Sequence, residues 1–299
     1  MQFDEKQTLP WAGFLYALGA TIIWSGNFIV ARGLFDTVQP ATLAFLRWGT
    51  AFAALLPLAA VPAWRERQAI RRHVVFLLIT ALLGVTLFNT LIYLAARSTS
   101  ALNLALISTT SPMFMLLLAR IFLGEAITPV RLVGMATAIC GVILLVTRGD
   151  LSRLASLQFA AGDLWMLSAA MLFAAYSILV RRKPRELGQA SFLLSTFGLG
   201  VLCLAPWAAW EVAQTGLPAP APRLVGAVLY IGIGASLAAF FLWNKAVAAI
   251  GPSRAGIIYY SLPVFSGLEA FLLLGEPVGW THLASGLLIL GGILVATRR

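Results

Sequence analysis

Charge is what this chain has least of. Only 11% of its 299 residues are Asp, Glu, Lys or Arg, against 60% hydrophobic, and no water-soluble domain of that size buries so much apolar material. Histidine is scarce, with His73 and His282 far apart and no HExxH spacing between them. Cysteine occurs only as Cys140 and Cys203, inside apolar runs and without metal-ligand spacing, so both read as small core residues and no metal site is expected. There is no GxxxxGK[ST] loop, which excludes an ATP-driven motor within the chain. With no carboxylate cluster or paired nucleophile and base either, no catalytic residue and no cofactor are expected, and a membrane-embedded enzyme is the weaker reading. Segments of about ten residues alternating apolar and polar, the mark of a membrane barrel, are missing as well.

What is there is a succession of apolar runs, each near the roughly 20 residues a helix needs to cross about 30 Å of hydrocarbon. Ten can be delimited, at 11–31, 39–61, 74–96, 102–123, 129–147, 161–181, 190–210, 224–248, 253–274 and 280–297. The fold expected is thus an all-α integral membrane protein with ten transmembrane helices. The first run is too long for a signal-peptide core and is followed by further spans, so it is expected to remain in the mature protein.

The formal charge of +10 lies in the loops and not on one water-facing surface, so nucleic acid is not an expected partner. Alternate loops sort the basic residues unequally. One side takes Lys6, Arg65, Arg67, Arg71, Arg72, Arg131, Arg181, Arg182, Lys183, Arg185, Lys245, Arg254, Arg298 and Arg299, and the other only Arg32, Arg97, Arg148, Arg153 and Arg223. Fourteen against five places both termini in the cytoplasm. Arg47 and Arg120 fall within runs, Arg120 close enough to an end for its stem to carry the charge out.

The chain also repeats itself. PMFMLLLARIFLGE at Pro112 to Glu125 aligns with PVFSGLEAFLLLGE at Pro263 to Glu276, identical at seven of fourteen positions. More weakly, LYALGATIIWSGNFIVAR aligns with WMLSAAMLFAAYSILVRR, ending on Arg32 and Arg182. Two repeats of five spans, 1–155 and 156–299, thread the membrane in opposite directions because five is odd. The glutamates of the two LGE corners, Glu125 and Glu276, then face opposite sides, each read as a tight turn favouring the start of the next helix. Inverted repeats of this kind underlie alternating access around a midplane site.

Several blocks resemble the drug/metabolite transporter superfamily, and within it the bacterial EamA-type exporters: WSGNF in the first span, ATLAFLRW opening the second, SPMFMLLLARIFLGE ending the fourth, GMATAICGVILLV in the fifth, and second copies of the last two. The resemblance extends over essentially the whole chain and is greatest to exporters of aromatic and neutral amino acids. It implies a multi-pass carrier of the inner (plasma) membrane exporting small metabolites. Other small organic solutes, such as drug-like compounds or nucleosides, are the alternative cargo.

Polar residues within spans are costly unless they face the bundle interior. Helical spacing groups Thr86, Asn89, Thr90, Tyr93 and Arg97 on one stripe; Trp24 with Asn27; and Ser236, Phe240, Trp243 and Asn244 together. The candidate substrate-binding residues are Trp24, Asn27, Asn89, Tyr93, Asn103, Ser108, Tyr176, Phe240, Trp243, Tyr259 and Tyr260. For the hydroxyls and amides the competing role is hydrogen bonding between helices, and for the aromatics an interfacial belt, which Trp11 and Trp280 fit. Arg47 and Glu269 have opposite charge and matched depth, about 10 Å in at 1.5 Å per residue, and are expected to pair as a gate or brace, with Glu269 as a proton carrier the rival role. The fifth and tenth spans, rich in Gly and Ala, are assigned to packing, and to a contact between two copies of the chain.

Overall fold

The computed structural model describes residues 10–31, 38–99, 101–155, 157, 158, 160–274 and 279–297, with backbone alone for 10, 27–31, 101, 102, 270, 273 and 274. Among the described residues every regular element is helical. In order they are α1 (Pro10–Ala31), α2 (Pro40–Arg65), α3 (Arg67–Arg72), α4 (Val74–Ala81), α5 (Phe88–Ser98), α6 (Ala101–Ser108), α7 (Ser111–Leu123), α8 (Pro129–Val146), α9 (Ser152–Ala155), α10 (Ala161–Arg181), α11 (Gln189–Thr215), α12 (Pro222–Leu229), α13 (Ala239–Tyr259), α14 (Leu262–Leu274) and α15 (Trp280–Thr297). A π-helical stretch, Leu82–Leu87, joins α4 to α5, and another, Tyr230–Ala238, joins α12 to α13. Eight helical stretches among the described residues are long and apolar enough to cross a membrane, including Pro222–Tyr259, which covers the expected eighth run and the start of the ninth. That stretch breaks at Gly251, whose φ of 81° is left-handed, just ahead of Pro252.

Polar groups and apolar groups are sorted as a bilayer requires. Thr21, Ser25, Arg47, Asn89, Thr90, Asp163 and Asn244 are buried, while Leu58, Trp64, Leu202 and Leu287 lie on the outside. Trp11 and Trp280, at 59% and 78% exposure, sit at helix ends where interfacial aromatics belong.

The irregular points have local causes and recur. At Thr109–Thr110 and at Tyr260–Ser261, 151 positions on, helices are interrupted by a turn of i→i−3 bonds: Thr110 N–H to Ile107 O at 3.0 Å and Ser261 N–H to Ile258 O at 2.9 Å. Pro112 and Pro263 follow at the same spacing; each lacks an N–H and crowds the carbonyl four residues back, so the helix cannot run through. Hydroxyls of Ser108, Thr109, Thr110 and Ser261 bond to carbonyls three residues back, satisfying groups that hydrocarbon would leave unmet.

Helix pairing follows the small residues. α1 lies along α13 and α10 along α5, α2 packs against α11, and α8 against α15. In the last pair a Cβ on Gly292 would stand 2.5 Å from Gly134 O, and one on Gly134 2.4 Å from Ala296 N, so the backbones meet directly. These are the faces on which a contact between copies was expected. Gly134, Gly141 and Gly292 are consumed within the chain, whereas a Cβ on Gly291 would meet open space, and a second copy has no support here.

Two further expectations are corrected. Cys140 is exposed and Cys203 half-buried, so neither is a core residue; the core positions of α8 go to Gly134, Ala138 and Gly141, which permit the closer approach. Nor does Glu125 cap the next helix. Thr128 does, its Oγ1 accepting the N–H of Arg131 at 3.3 Å, while Glu125 Oε1 stands 2.7 Å from where a Cβ on Gly251 would be. Glu276 lies outside the described residues.

Candidate functional site

A π-helix leaves backbone carbonyls out of register with their usual donors, and such turns gather at functional sites. In Tyr230–Ala238 the carbonyl of Ala235 receives two side chains at once: Trp24 Nε1 donates to it at 2.8 Å and Arg47 Nη2 at 3.1 Å. The next residue, Ser236, accepts from Arg47 Nε and donates to Ile231 O at 2.9 Å. Arg47 Nη1 donates to the Tyr93 hydroxyl at 3.1 Å. Thus α1 is tied to one turn of the π-helix through Trp24, and α2 and α5 through Arg47, which is 2% exposed.

Beside this knot the aromatic rings form a continuous cluster. Trp24 meets Phe173, Phe240, Trp243 and Tyr259 with centroids 5.4, 5.6, 5.3 and 6.0 Å away. Phe173 stacks on Phe88 at 4.7 Å and on Trp243 at 5.1 Å. Trp48 closes one flank, 4.8 Å from Phe240 and 4.9 Å from Phe197. Two of the polar tips are fixed: Tyr176 donates to Asn244 Oδ1 at 2.8 Å and Trp243 Nε1 to Ser177 Oγ at 3.1 Å, while Trp48 Nε1 is buried without a partner. Gly84, in the first π-helix, makes room, since a Cβ there would lie 2.2 Å from Tyr176 Cδ2.

Of the residues expected from the sequence, the structure brings together Trp24, Tyr93, Tyr176, Phe240, Trp243, Tyr259 and Arg47. Asn89 is buried one turn from Tyr93, its amide nitrogen without a partner. Three others are elsewhere. Asn103 donates to both oxygens of Asp163, at 3.0 and 2.9 Å, and to Gln158 O, bracing the start of α10. The Ser108 hydroxyl is turned to Ala105 O in its own helix, 2.7 Å away, because the break at Thr109 disrupts that turn. Tyr260 packs in a second apolar cluster with Leu116, Met135 and Ile289. The side chain of Asn27 lies outside the described residues.

The expected ion pair between Arg47 and Glu269 is not formed in this conformation. Glu269 Oε1 accepts from Ser25 at 2.9 Å, and Oε2 is buried without a partner, near Gly26 and the Tyr230 hydroxyl. Arg47 is instead held by the π-helical carbonyl and by hydroxyls, acceptors that periodicity along α2 does not reveal.

Phe88, Trp48, Phe173 and Phe197 escaped sequence reasoning, although Phe173 lies one turn before Tyr176 and Trp48 directly follows Arg47. Asp163 escaped it too: three residues after Ala160, it accepts that residue's N–H at 2.9 Å, and its place in the first helical turn was the available signal. A separate pocket of about 110 Å³ opens around Val38, Gln39, Arg97 and Leu217, and none of the candidate substrate-binding residues lines it.

Comparison with known proteins bears on what such a cluster serves. The model of the EamA-like transporter family matches residues 11–147 and again 160–298. The chain belongs to the EamA-like transporter family. Curated relatives of this EamA-like transporter include an uncharacterized transporter of Archaeoglobus fulgidus, 28% identical over 93% of this chain and 94% of the relative. The uncharacterized transporter YyaM of Bacillus subtilis is 24% identical over 95% and 93%. A protein named probable terminal-alkyne amino-acid exporter in Streptantibioticus cattleyicolor is 27% identical over 95% and 93%. A solved crystal structure matches at a TM-score of 0.75 over 95% of this chain and 96% of its own, at 20% identity, a likeness of fold alone.

Proposed function

We propose that this EamA-like transporter is a secondary carrier exporting small metabolites, aromatic or other neutral amino acids foremost, across the inner (plasma) membrane by alternating access. Its ten spans form two five-helix repeats, 1–155 and 156–299, inverted relative to each other, with both termini cytoplasmic. The substrate lies against Trp24, Phe240, Trp243 and Tyr259, with Tyr93, Asn89 and Tyr176 as polar partners.

The observation that carries this reading is the matched pair of irregularities. Interruptions at Thr109–Thr110 and Tyr260–Ser261, and π-helices at Leu82–Leu87 and Tyr230–Ala238, occupy corresponding places in the two halves, and the aromatic cluster draws on both halves beside them. Discontinuous helices at corresponding positions mark the substrate site of inverted-repeat carriers. Helix pairing supports the same symmetry: exchanging the halves turns the α1–α13 contact into the α10–α5 contact and leaves α2–α11 and α8–α15 as they are. The name of the Streptantibioticus relative supports amino acids as cargo.

The test is transport by the purified chain in liposomes, loaded in turn with labelled tryptophan, phenylalanine, leucine, a nucleoside and a cationic dye, with and without a pH gradient. Saturable efflux of the aromatic amino acids is expected. Efflux of the nucleoside or dye alone would replace the cargo, and movement of none would remove the carrier reading.

A further inference from the structure

Arg47 is a buried cation with no anion. Its three hydrogen bonds go to the hydroxyls of Ser236 and Tyr93 and the carbonyl of Ala235, and no carboxylate among the described residues lies within ion-pair distance of it. A guanidinium cannot shed its proton to become neutral, as a buried lysine can. It also has five N–H groups, so the three neutral acceptors leave part of the planar fork unused. Burial of a charge under these terms is unfavourable unless an anion completes it.

The surroundings define that anion. Arg47 lies at one edge of the aromatic cluster: its guanidinium carbon stands 5.5 Å from the centre of the Trp48 ring, and it shares the Ala235 carbonyl with Trp24. A ligand bound here therefore meets a charged fork at one end and apolar rings beyond it. The fork matches two oxygens of one planar group, the geometry of bidentate Arg–carboxylate recognition. Glu269, the acid expected from the sequence to fill this role, is instead engaged by Ser25.

Resting on the carrier reading above, we propose that Arg47 receives the carboxylate of the transported molecule, so that the cargo bears a carboxylate beside an apolar or aromatic side chain and is not a solute that lacks one. Tyr93 and Ser236 hold the fork in place between turnovers. The Ala235 carbonyl is the acceptor that the substrate's carboxylate replaces, and its release from Arg47 leaves it to Trp24.

The experiment compares 3-phenylpropionate with 3-phenylpropionamide, of nearly equal shape but with and without the charge, and phenylalanine with phenylalaninamide, in liposomes containing the full chain. The native protein is expected to move each acid faster than its amide by about tenfold or more. Arg47→Gln is expected to lose that preference, moving acid and amide at equal rates, with Arg47→Lys between the two. Should Arg47→Gln fail to fold, quenching of native tryptophan fluorescence by the same ligands reads the preference directly. Equal rates for acid and amide in the native protein would overturn the proposal and leave the carrier reading intact. Parallel loss of both in a folded Arg47→Gln protein would also overturn it, making Arg47 a brace only. Movement of neither ligand, nor of any amino acid, would bring down the carrier reading and this inference together.

Discussion

Replacing Gly84 by alanine tests whether the aromatic cluster is as tightly keyed to the first π-helix as the geometry requires. The added Cβ would stand 2.2 Å from Tyr176 Cδ2, with two more ring atoms at 2.6 and 2.7 Å. The ring has nowhere to go: Phe173 and Phe240 flank it at 6.3 and 5.5 Å, and its hydroxyl is bound to Asn244. Overpacking of this kind costs about 1–3 kcal/mol. Displacing the hydroxyl adds about 1–3 kcal/mol more, because the Asn244 amide nitrogen already lacks a partner and its oxygen would then lack one too. The expected loss is therefore several kcal/mol, read as a shift in reversible unfolding by sodium dodecyl sulfate in mixed micelles. A second variant isolates the cause. Tyr176→Ala is itself destabilising by about 3–5 kcal/mol, but in that background the Cβ meets open space and Gly84→Ala should add less than about 0.5 kcal/mol. If Gly84→Ala costs the same in both backgrounds, the ring is not what the glycine accommodates and the reasoning fails.

Two further outcomes follow from polar and small-residue packing. Glu211, 6% exposed, accepts the N–H groups of Ala41 and Thr42 at 3.1 and 2.7 Å and the Thr42 hydroxyl at 2.9 Å; Glu211→Gln should lower stability by about 1–3 kcal/mol, and an unchanged melting temperature in detergent would refute its role as the cap of α2. Gly292→Val forces a side chain against the backbone of α8, 2.5 Å from Gly134 O and 2.6 Å from Ala138 N, and should cost about 3 kcal/mol or more, whereas Cys140→Ala, on the exposed side of the same helix, should stay within about 0.5 kcal/mol; similar unfolding midpoints for the two would contradict the α8–α15 interface.

What was legible in the sequence was whatever a single helix decides for itself. Apolar runs gave the helices to within a few residues at most ends, and of the stripe Thr86, Asn89, Thr90, Tyr93 and Arg97 the first four are buried while Arg97, near the helix end, is exposed, because 3.6-residue periodicity records which face avoids lipid. Choice of partner was not legible in this way. Asn103 and Tyr93 look alike as polar residues in apolar spans, yet one braces Asp163 and the other holds Arg47, and only the packing of α10 and α2 distinguishes them. Phe173 and Trp48 were missed for the converse reason: an aromatic ring in a hydrophobic run carries no signal until rings from other helices surround it. The Arg47–Glu269 pair is not formed because depth and charge were matched without the π-helix, whose Ala235 carbonyl accepts from Arg47.

The LGE corner illustrates the same limit in a repeated motif. Gly124, at φ 70°, ends α7 and turns the chain, and the glutamate after it reads naturally as belonging to the helix that follows. Yet Thr128 already serves α8, and the carboxylate of Glu125 lies instead against Gly251, where α13 is broken in the other half of the chain. The break lies between the eighth and ninth apolar runs and starts a new helical stretch, at Pro252, whose first N–H groups have no intrahelical carbonyl to receive them. Proline at that position removes one such donor, and a carboxylate beside the break supplies negative charge where the backbone dipoles of the stretch are positive. The corner thus serves the start of a helical stretch in the other half and not of the helix that follows it, and the physical requirement it meets lies 126 residues away in the chain, from Glu125 to Gly251.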